Sequence, residues 1–297
     1  MANISQSRLH DHALACLIAG LIGDAMGTPT ENMDYRAIID TFGWVDSFEG
    51  DGTDDTIMKH LLAQSLIKTR GQATLDDWAQ VWLEGWQDIF GSKVNKFFVS
   101  VLHTAQKLRS HSVPRMAALG NMPSSSSAMC IAPVGIVNAC DPAGAARQAY
   151  NLAGLIHIHD VGFCQDAAAA LAHEADGYEA FREQLYAQAD THFCRITCDS
   201  RETLPLTLAL FYIAQGQVRE AITCAANLGR DADTIATMVG ALAGAMQGMQ
   251  GLPPNWTAKL ADKTIAQQSR LASELVDTAR LKQQRQLLAY RRLDAAR

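Results

Sequence analysis

Three things are scarce in this 297-residue chain: an excess of basic residues, long apolar runs and strand-like alternation. Lys and Arg total 25 against 31 Asp and Glu, a formal net charge of −6. Nucleic-acid backbones demand clustered Lys and Arg, so no nucleic-acid partner is expected. No stretch approaches the roughly 18 uninterrupted apolar residues of a membrane span. The start places His10, Asp11 and His12 before a short apolar run, unlike a signal peptide. No membrane partner is expected on either count. The seven cysteines are odd in number and lack framework spacing, which predicts reduced thiols and a cytoplasmic protein. His192, Cys194 and Cys198 miss a fourth zinc ligand at sensible spacing and read as half-buried residues on a helix. Fixed-period repeats and long linkers are also missing, and nothing in the chain speaks to its oligomeric state.

What is present is apolar mass: 48% hydrophobic against 19% charged residues, enough for a full core. Length alone allows one large domain or two. Apolar spacing predicts helices over 13–26, 56–69, 75–89, 94–108, 142–155, 165–174, 204–215, 218–227, 234–249 and 257–293. Trp78, Trp82 and Trp86, four apart, form an expected core stripe. Residues 44–48 and 131–137 are ambiguous and strand-like. The expectation is an all-α fold, one domain over 1–297, with a core of motifs at 13–256 and a solvated surface helix at 257–293.

Two acidic segments start helices: Gly52-Thr53-Asp54-Asp55-Thr56 and Gly229-Arg230-Asp231-Ala232-Asp233-Thr234. Taken singly, each reads as an N-cap, since Asp and Thr cap well and gain from the helix dipole. A second adjacent carboxylate adds repulsion, however, unless a cation sits between. Hard divalent ions favour carboxylate and hydroxyl oxygens, and the two segments together would hold two. A third segment, residues 20–31, carries small residues at Gly20, Gly23 and Gly27 and ends on Glu31 after a Pro-containing turn. Gly240, Gly244 and Gly248 recur every four residues, a smooth face suited to packing against the first helix. That packing would join Glu31, Asp54, Asp55, Asp231 and Asp233 from both ends of the chain.

In this order, GLIGDAMGTPTE, GTDDTIM, AMCIAPVGI, NLGRDADTIATMVGALAGAMQG and GLPPNW resemble the ADP-ribosylglycohydrolase family over residues 20–256. The resemblance implies a compact orthogonal all-α domain with a central binuclear cleft for two divalent cations, Mg²⁺ or Mn²⁺. Carried over, Thr53, Asp54, Asp55, Asp231, Asp233 and Thr234 would be metal ligands. Glu31 and Asp55 would be catalytic, with the choice of base open. His159 looks like the family histidine on the substrate, and His157 fits that spacing less well. Where many relatives carry a Gly-Asn-Gly loop and Met-Arg, this chain has serines at 124–127, Met129 and Cys130. Ser125, Ser126 and Ser127 either bind a phosphate or ribose or form a flexible loop.

The implied reaction is hydrolysis of an N-glycosidic bond at ribose C1, the metals lowering the pKa of a bound water. An ADP-ribosyl or related N-ribosyl substrate leads. With Cys130 in place of Arg, a nucleosidase acting on a small ribonucleoside is the alternative. A non-catalytic ADP-ribose-binding or nucleotide-binding protein is a third reading, one that has no need of five carboxylates.

Overall fold

The structure is a computed structural model in which residues 7–157 and 165–295 are described. Its helices are α1 (Arg8–Gly27), α2 (Tyr35–Phe42), α3 (Asp54–Lys68), α4 (Leu75–Glu84), α5 (Val99–Arg109), α6 (Ala132–Val137), α7 (Pro142–Ala153), α8 (Gln165–Glu174), α9 (Gly177–Ala187), α10 (Ser200–Ile213), α11 (Val218–Ala226), α12 (Ala232–Gln247) and α13 (Asp262–Ala295). Short helical turns join several of them. Most of the described residues are helical and none forms a strand, as the all-α expectation required.

The central element is α1, and its composition explains why. It is apolar almost all round, and such a helix belongs inside a core or a membrane. Its segment Arg8–Thr30 is long and apolar enough to cross a membrane, with a mean hydropathy of 1.4, yet 83% of that window is buried within the protein. Ile18, Leu21 and Ile22 join one hydrophobic cluster with Leu206, Leu210, Ile222 and Val239. Ala13, Cys16 and Leu17 join a second with Met58, Leu62, Trp78, Trp82 and Leu275. Both clusters therefore close on the same helix.

Along its length α1 lies against α12, and glycine sets how closely. A β-carbon at Gly240 would sit 2.6 Å from the Ala19 carbonyl oxygen, and one at Gly23 would overlap the Ala236 carbonyl. Gly248 does not extend this face: it caps α12 in the left-handed region at φ 72°. We expect Gly23→Ala to destabilise the protein by up to about 2 kcal/mol. Alanine's helix preference over glycine offers only about 1 kcal/mol, whereas overpacking the contact costs about 1–3 and moves both helices. A urea midpoint equal to the parent's would refute the glycine account.

Several elements differ from expectation for identifiable reasons. The helix expected over 75–89 breaks at Gly85, so Trp78 and Trp82 are fully buried, edge to face at 5.5 Å. Trp86 leaves the stripe and stacks on Phe90 at 4.0 Å instead. Residues 131–137 form α6, with Pro133 in the first turn, where its missing N–H costs nothing. Residues 44–48 form neither helix nor strand. The Asn227 amide accepts from Val45 N at 2.9 Å and donates to Val45 O at 2.7 Å, doing a neighbouring strand's work. The last helix is solvated only in its second half, for Leu271, Ala272, Leu275 and Val276 are core residues. Cys194 and Cys198 lie in a loop, not on a helix.

Candidate functional site

The C-terminal end of α1 and the N-termini of α3 and α12 meet, and the two acidic segments meet with them. Asp24, fully buried on α1, anchors the first. Its carboxylate accepts from Thr53 N at 2.8–2.9 Å, Thr53 Oγ1 at 2.7 Å, Thr56 N at 3.0 Å and Thr56 Oγ1 at 2.6 Å. Of these, the Thr56 amide is the first-turn donor that an N-cap side chain would ordinarily satisfy. Asp24 thus caps α3 from another helix, and Thr53 makes no side-chain cap bond of its own. Gly52, at φ 86°, is confined to the left-handed region, and a β-carbon there would strike Asp24 Oδ2. Asp54 and Asp55, between the two threonines, are released from capping.

The second segment is held by a different device. Gly229 and Arg230 both have positive φ, 80° and 63°. Arg230 N donates to Met33 O at 3.0 Å, and Asn32 N donates to Arg230 O at 2.6 Å. The Arg230 guanidinium binds both oxygens of buried Glu202 at 2.7 Å and lies over the Phe193 ring at 4.4 Å. Removing one member of so buried a pair costs about 3–5 kcal/mol, so this strained turn is firmly held. Asp231, which follows, makes no side-chain cap bond to α12. Neither N-cap residue therefore caps its own helix with its side chain: Asp24 does so for α3, and in α12 Asp233 Oδ1 accepts from Thr234 N at 2.9 Å.

Among the described residues, carboxylate oxygens of Asp24, Asp55 and Asp233 lie within 4.8 Å of one another. Those of Glu31, Asp231 and Asp233 do the same, so Asp233 belongs to both groups. Asp55 Oδ1 is buried with no hydrogen-bond partner among the described residues, while Thr234 Oγ1 approaches Asp55 Oδ2 at 3.4 Å. Burial and then the neighbouring carboxylates push Asp54, Asp55 and Asp233 well above the usual carboxylate range. Burial pushes Asp231 up to about 7, with the Ser125 hydrogen bond pulling down and Glu31 pushing up. Packed, repelling carboxylates with an orphaned oxygen fit oxygen-seeking divalent cations.

These groups floor a cleft of about 500 Å³. Glu31, Asp54, Asp55, Asp231, Asp233, Thr234, Ser125 and Ser126 line it; Thr53 and Ser127 do not. Thr53 spends its hydroxyl hydrogen on Asp24, although its lone pairs remain. The serine tract is no flexible loop: 124–126 are buried and 125–127 form a 3₁₀ turn. Ser125 Oγ donates to Asp231 Oδ2 at 3.1 Å, and the Cys130 thiol donates back into the turn. Ser124 Oγ lies 2.9 Å from Ser126 Oγ and 3.1 Å from His157 Nε2. His159 lies outside the described residues. His157, the weaker fit by spacing, stands beside the site.

The model of the ADP-ribosylglycohydrolase family matches residues 5–285. The chain belongs to that family. It is a family of hydrolases, and this chain has distant relatives that it matches over nearly their whole length. It is 24% identical to ADP-ribosyl-(dinitrogen reductase) glycohydrolase of Rhodospirillum rubrum, over 92% of this chain and 98% of that protein. An uncharacterized protein of Escherichia coli, YegU, is 25% identical over 93% and 98%. ADP-ribosylarginine hydrolase Tri1 of Pseudomonas putida is 48% identical over 60 residues, 20% of this chain and 16% of that one. The solved structure of an ADP-ribosylglycohydrolase-related protein complex shares the fold, with a TM-score of 0.65 at 21% identity over 91% of this chain and 99% of that one.

Sequence reading gave no role to Asp24, or to Lys96 and Arg195, two cations that line the cleft. A signal for Asp24 was available: one acid within an otherwise apolar helix is rarely buried without a partner. The cations have no such signal, for each lies in an unremarkable stretch.

Proposed function

We propose that this protein uses Mg²⁺ or Mn²⁺ to hydrolyse the N-glycosidic bond at ribose C1 of an ADP-ribosyl group. The observation that carries the reading is the two carboxylate groups sharing Asp233 on the floor of a nucleotide-sized cleft. Asp55, Asp231 and Asp233 would hold the cations, with Asp54 and the Thr234 hydroxyl beside them. Asp24, whose oxygens already serve four donors of α3, would act as their buttress. Divalent cations bound there would supply the positive charge that orients ribose hydroxyls and eases proton loss from a water.

The chain's own residues supply the rest. Glu31 is the half-buried carboxylate of the set; its Oε1 accepts from Asn32 at 3.1 Å and its Oε2 lies 3.4 Å from Lys96 Nζ. Open to solvent on one side, it is suited to take the proton of the attacking water. The buried carboxylates favour the positive charge that develops on the ribose ring as the bond breaks. The described cysteines are all unpaired thiols, in keeping with a cytoplasmic setting.

The test is turnover of ADP-ribosylated arginine, and separately of free nucleosides, with Mg²⁺ or Mn²⁺. Turnover of the first, lost on chelation, is expected; turnover of nucleosides alone would make the protein a nucleosidase. Calorimetric binding of ADP-ribose with no turnover of either would make it a binding protein. Glu31→Gln should lower kcat about 100-fold or more while Mn²⁺ binding changes little, the usual range for losing a general base. An equal loss of Mn²⁺ affinity would make Glu31 a ligand.

A further inference from the structure

We infer that Arg195 is a specificity-determining residue that grips the phosphates of the substrate, an inference resting on the N-ribosyl hydrolase reading above. The floor of the cleft is acidic, so a substrate bearing phosphates needs positive charge elsewhere on its walls. The serine tract does not supply it. The Ser125 hydroxyl is spent on Asp231, and Ser124 and Ser126 bond each other beside His157. Cys130 is buried and its thiol turns back onto the serine carbonyls. Two cationic side chains line the cleft, Lys96 and Arg195. Lys96 is already paired with Glu31 at 3.4 Å.

Arg195 differs in two respects. Its side chain is exposed at the mouth and makes no ion pair among the described residues, although the cleft beneath it is lined with carboxylates. The loop that carries it is nevertheless fixed on both sides. Cys194 N donates to Glu202 Oε2 at 2.6 Å and Cys194 O accepts from Arg230 at 2.8 Å. On the other side, Thr197 donates to Asn32 at 2.6 Å, and Cys198 O accepts from Ser125 N at 2.7 Å. A loop tied to three walls of the site thus presents over it a guanidinium with no ion pair among the described residues. The planar fork of arginine matches phosphate oxygens in pairs. The cleft's volume leaves room for more than a ribose, and half-buried Phe98 offers a face on which a base could stack. The ligand class is a ribosyl group carried on a phosphate or pyrophosphate.

The experiment is calorimetric titration of the Mn²⁺-loaded protein with ADP-ribose and with adenosine, for the parent, Arg195→Gln and Arg195→Lys. Arg195→Gln should weaken ADP-ribose binding about tenfold, the loss of one charge-assisted contact on a partly solvated wall, and leave adenosine binding unchanged. Arg195→Lys should recover part of it, and the parent's affinity should fall more with added salt than the variant's. On ADP-ribosylated arginine, the variant should raise KM with kcat nearly constant. Equal ADP-ribose affinity in parent and Arg195→Gln would overturn the role of Arg195 and leave the hydrolase reading standing. A Mn²⁺-loaded parent that binds adenosine but not ADP-ribose would overturn both.

Discussion

Replacing Asp233 with asparagine is expected to abolish turnover and metal-dependent stabilisation while making the metal-free protein more stable than the parent. Asp233 contributes to both carboxylate groups, so its loss damages both cation positions at once. Asparagine keeps the shape and can still accept the Thr234 N–H, which reaches Asp233 Oδ1 at 2.9 Å. What disappears is one buried negative charge. Loss of an anionic ligand shared between two ions should cost at least about a thousandfold in turnover, on the scale of losing the Lewis-acid contribution. The metal-free protein responds oppositely. Asp233 is buried and repelled by Asp231, Glu31, Asp24 and Asp54, and it stays protonated well above the usual range. Asparagine cannot ionise, so it escapes that repulsion at the pH values where the aspartate would lose its proton, with nothing lost in packing. Melting curves with Mn²⁺ and with EDTA, on parent and variant, read both effects. A variant that keeps its Mn²⁺-induced rise in Tm would refute the shared-ligand assignment.

A second large effect is expected in the pH dependence of stability, and its direction should depend on metal. Asp231 is pushed from its ordinary 3.8 up to about 7, and Asp54, Asp55 and Asp233 move the same way. Between these limits the folded chain holds a proton that the unfolded chain has released. Raising pH therefore favours unfolding, by about 1.4 kcal/mol per pH unit for each such carboxyl. For Asp231 the contribution is fully present below about pH 4 and is lost by about pH 7. Against a total stability of about 5–15 kcal/mol this is a large fraction. The metal-free protein should accordingly melt at a markedly lower temperature at pH 8 than at pH 5. Divalent cations bind the deprotonated carboxylates, so the Tm gain from Mn²⁺ should grow over the same interval. Taking the difference between Mn²⁺ and EDTA curves cancels titrating groups elsewhere in the molecule. A gain in Tm independent of pH would mean that these carboxylates are not the ligands.

Much of this was legible locally. A repeat of apolar side chains every three to four residues marks a helix wherever it occurs, so most helices could be located from spacing alone. The failures are local too. Gly85 ends a helix that the tryptophan spacing would have continued, and residues 131–137 are too short for periodicity to separate helix from strand. The carboxylates of both acidic segments were visible, but their freedom was not. Capping and metal binding use the same residue types at the same helix ends. Only the distances between Asp24 and the first turn of α3 separate them.

The sequence by itself determined the all-helical class, the two small-residue helices able to pack backbone to backbone and the acidic segments at helix starts. These properties depend on neighbours within a turn or two. Tertiary structure alone decided that Asp24 caps a helix 29 residues away, that Glu202 restrains Arg230 across 28 residues and that Ser125 bonds Asp231 across 106. It likewise decided that Arg195 lines the same cleft as the carboxylates. Such relations arise when separate helices converge, and no spacing along the chain encodes them. Electrostatic and hydrogen-bond energies follow distance in space, which folding sets only after every local preference has been expressed.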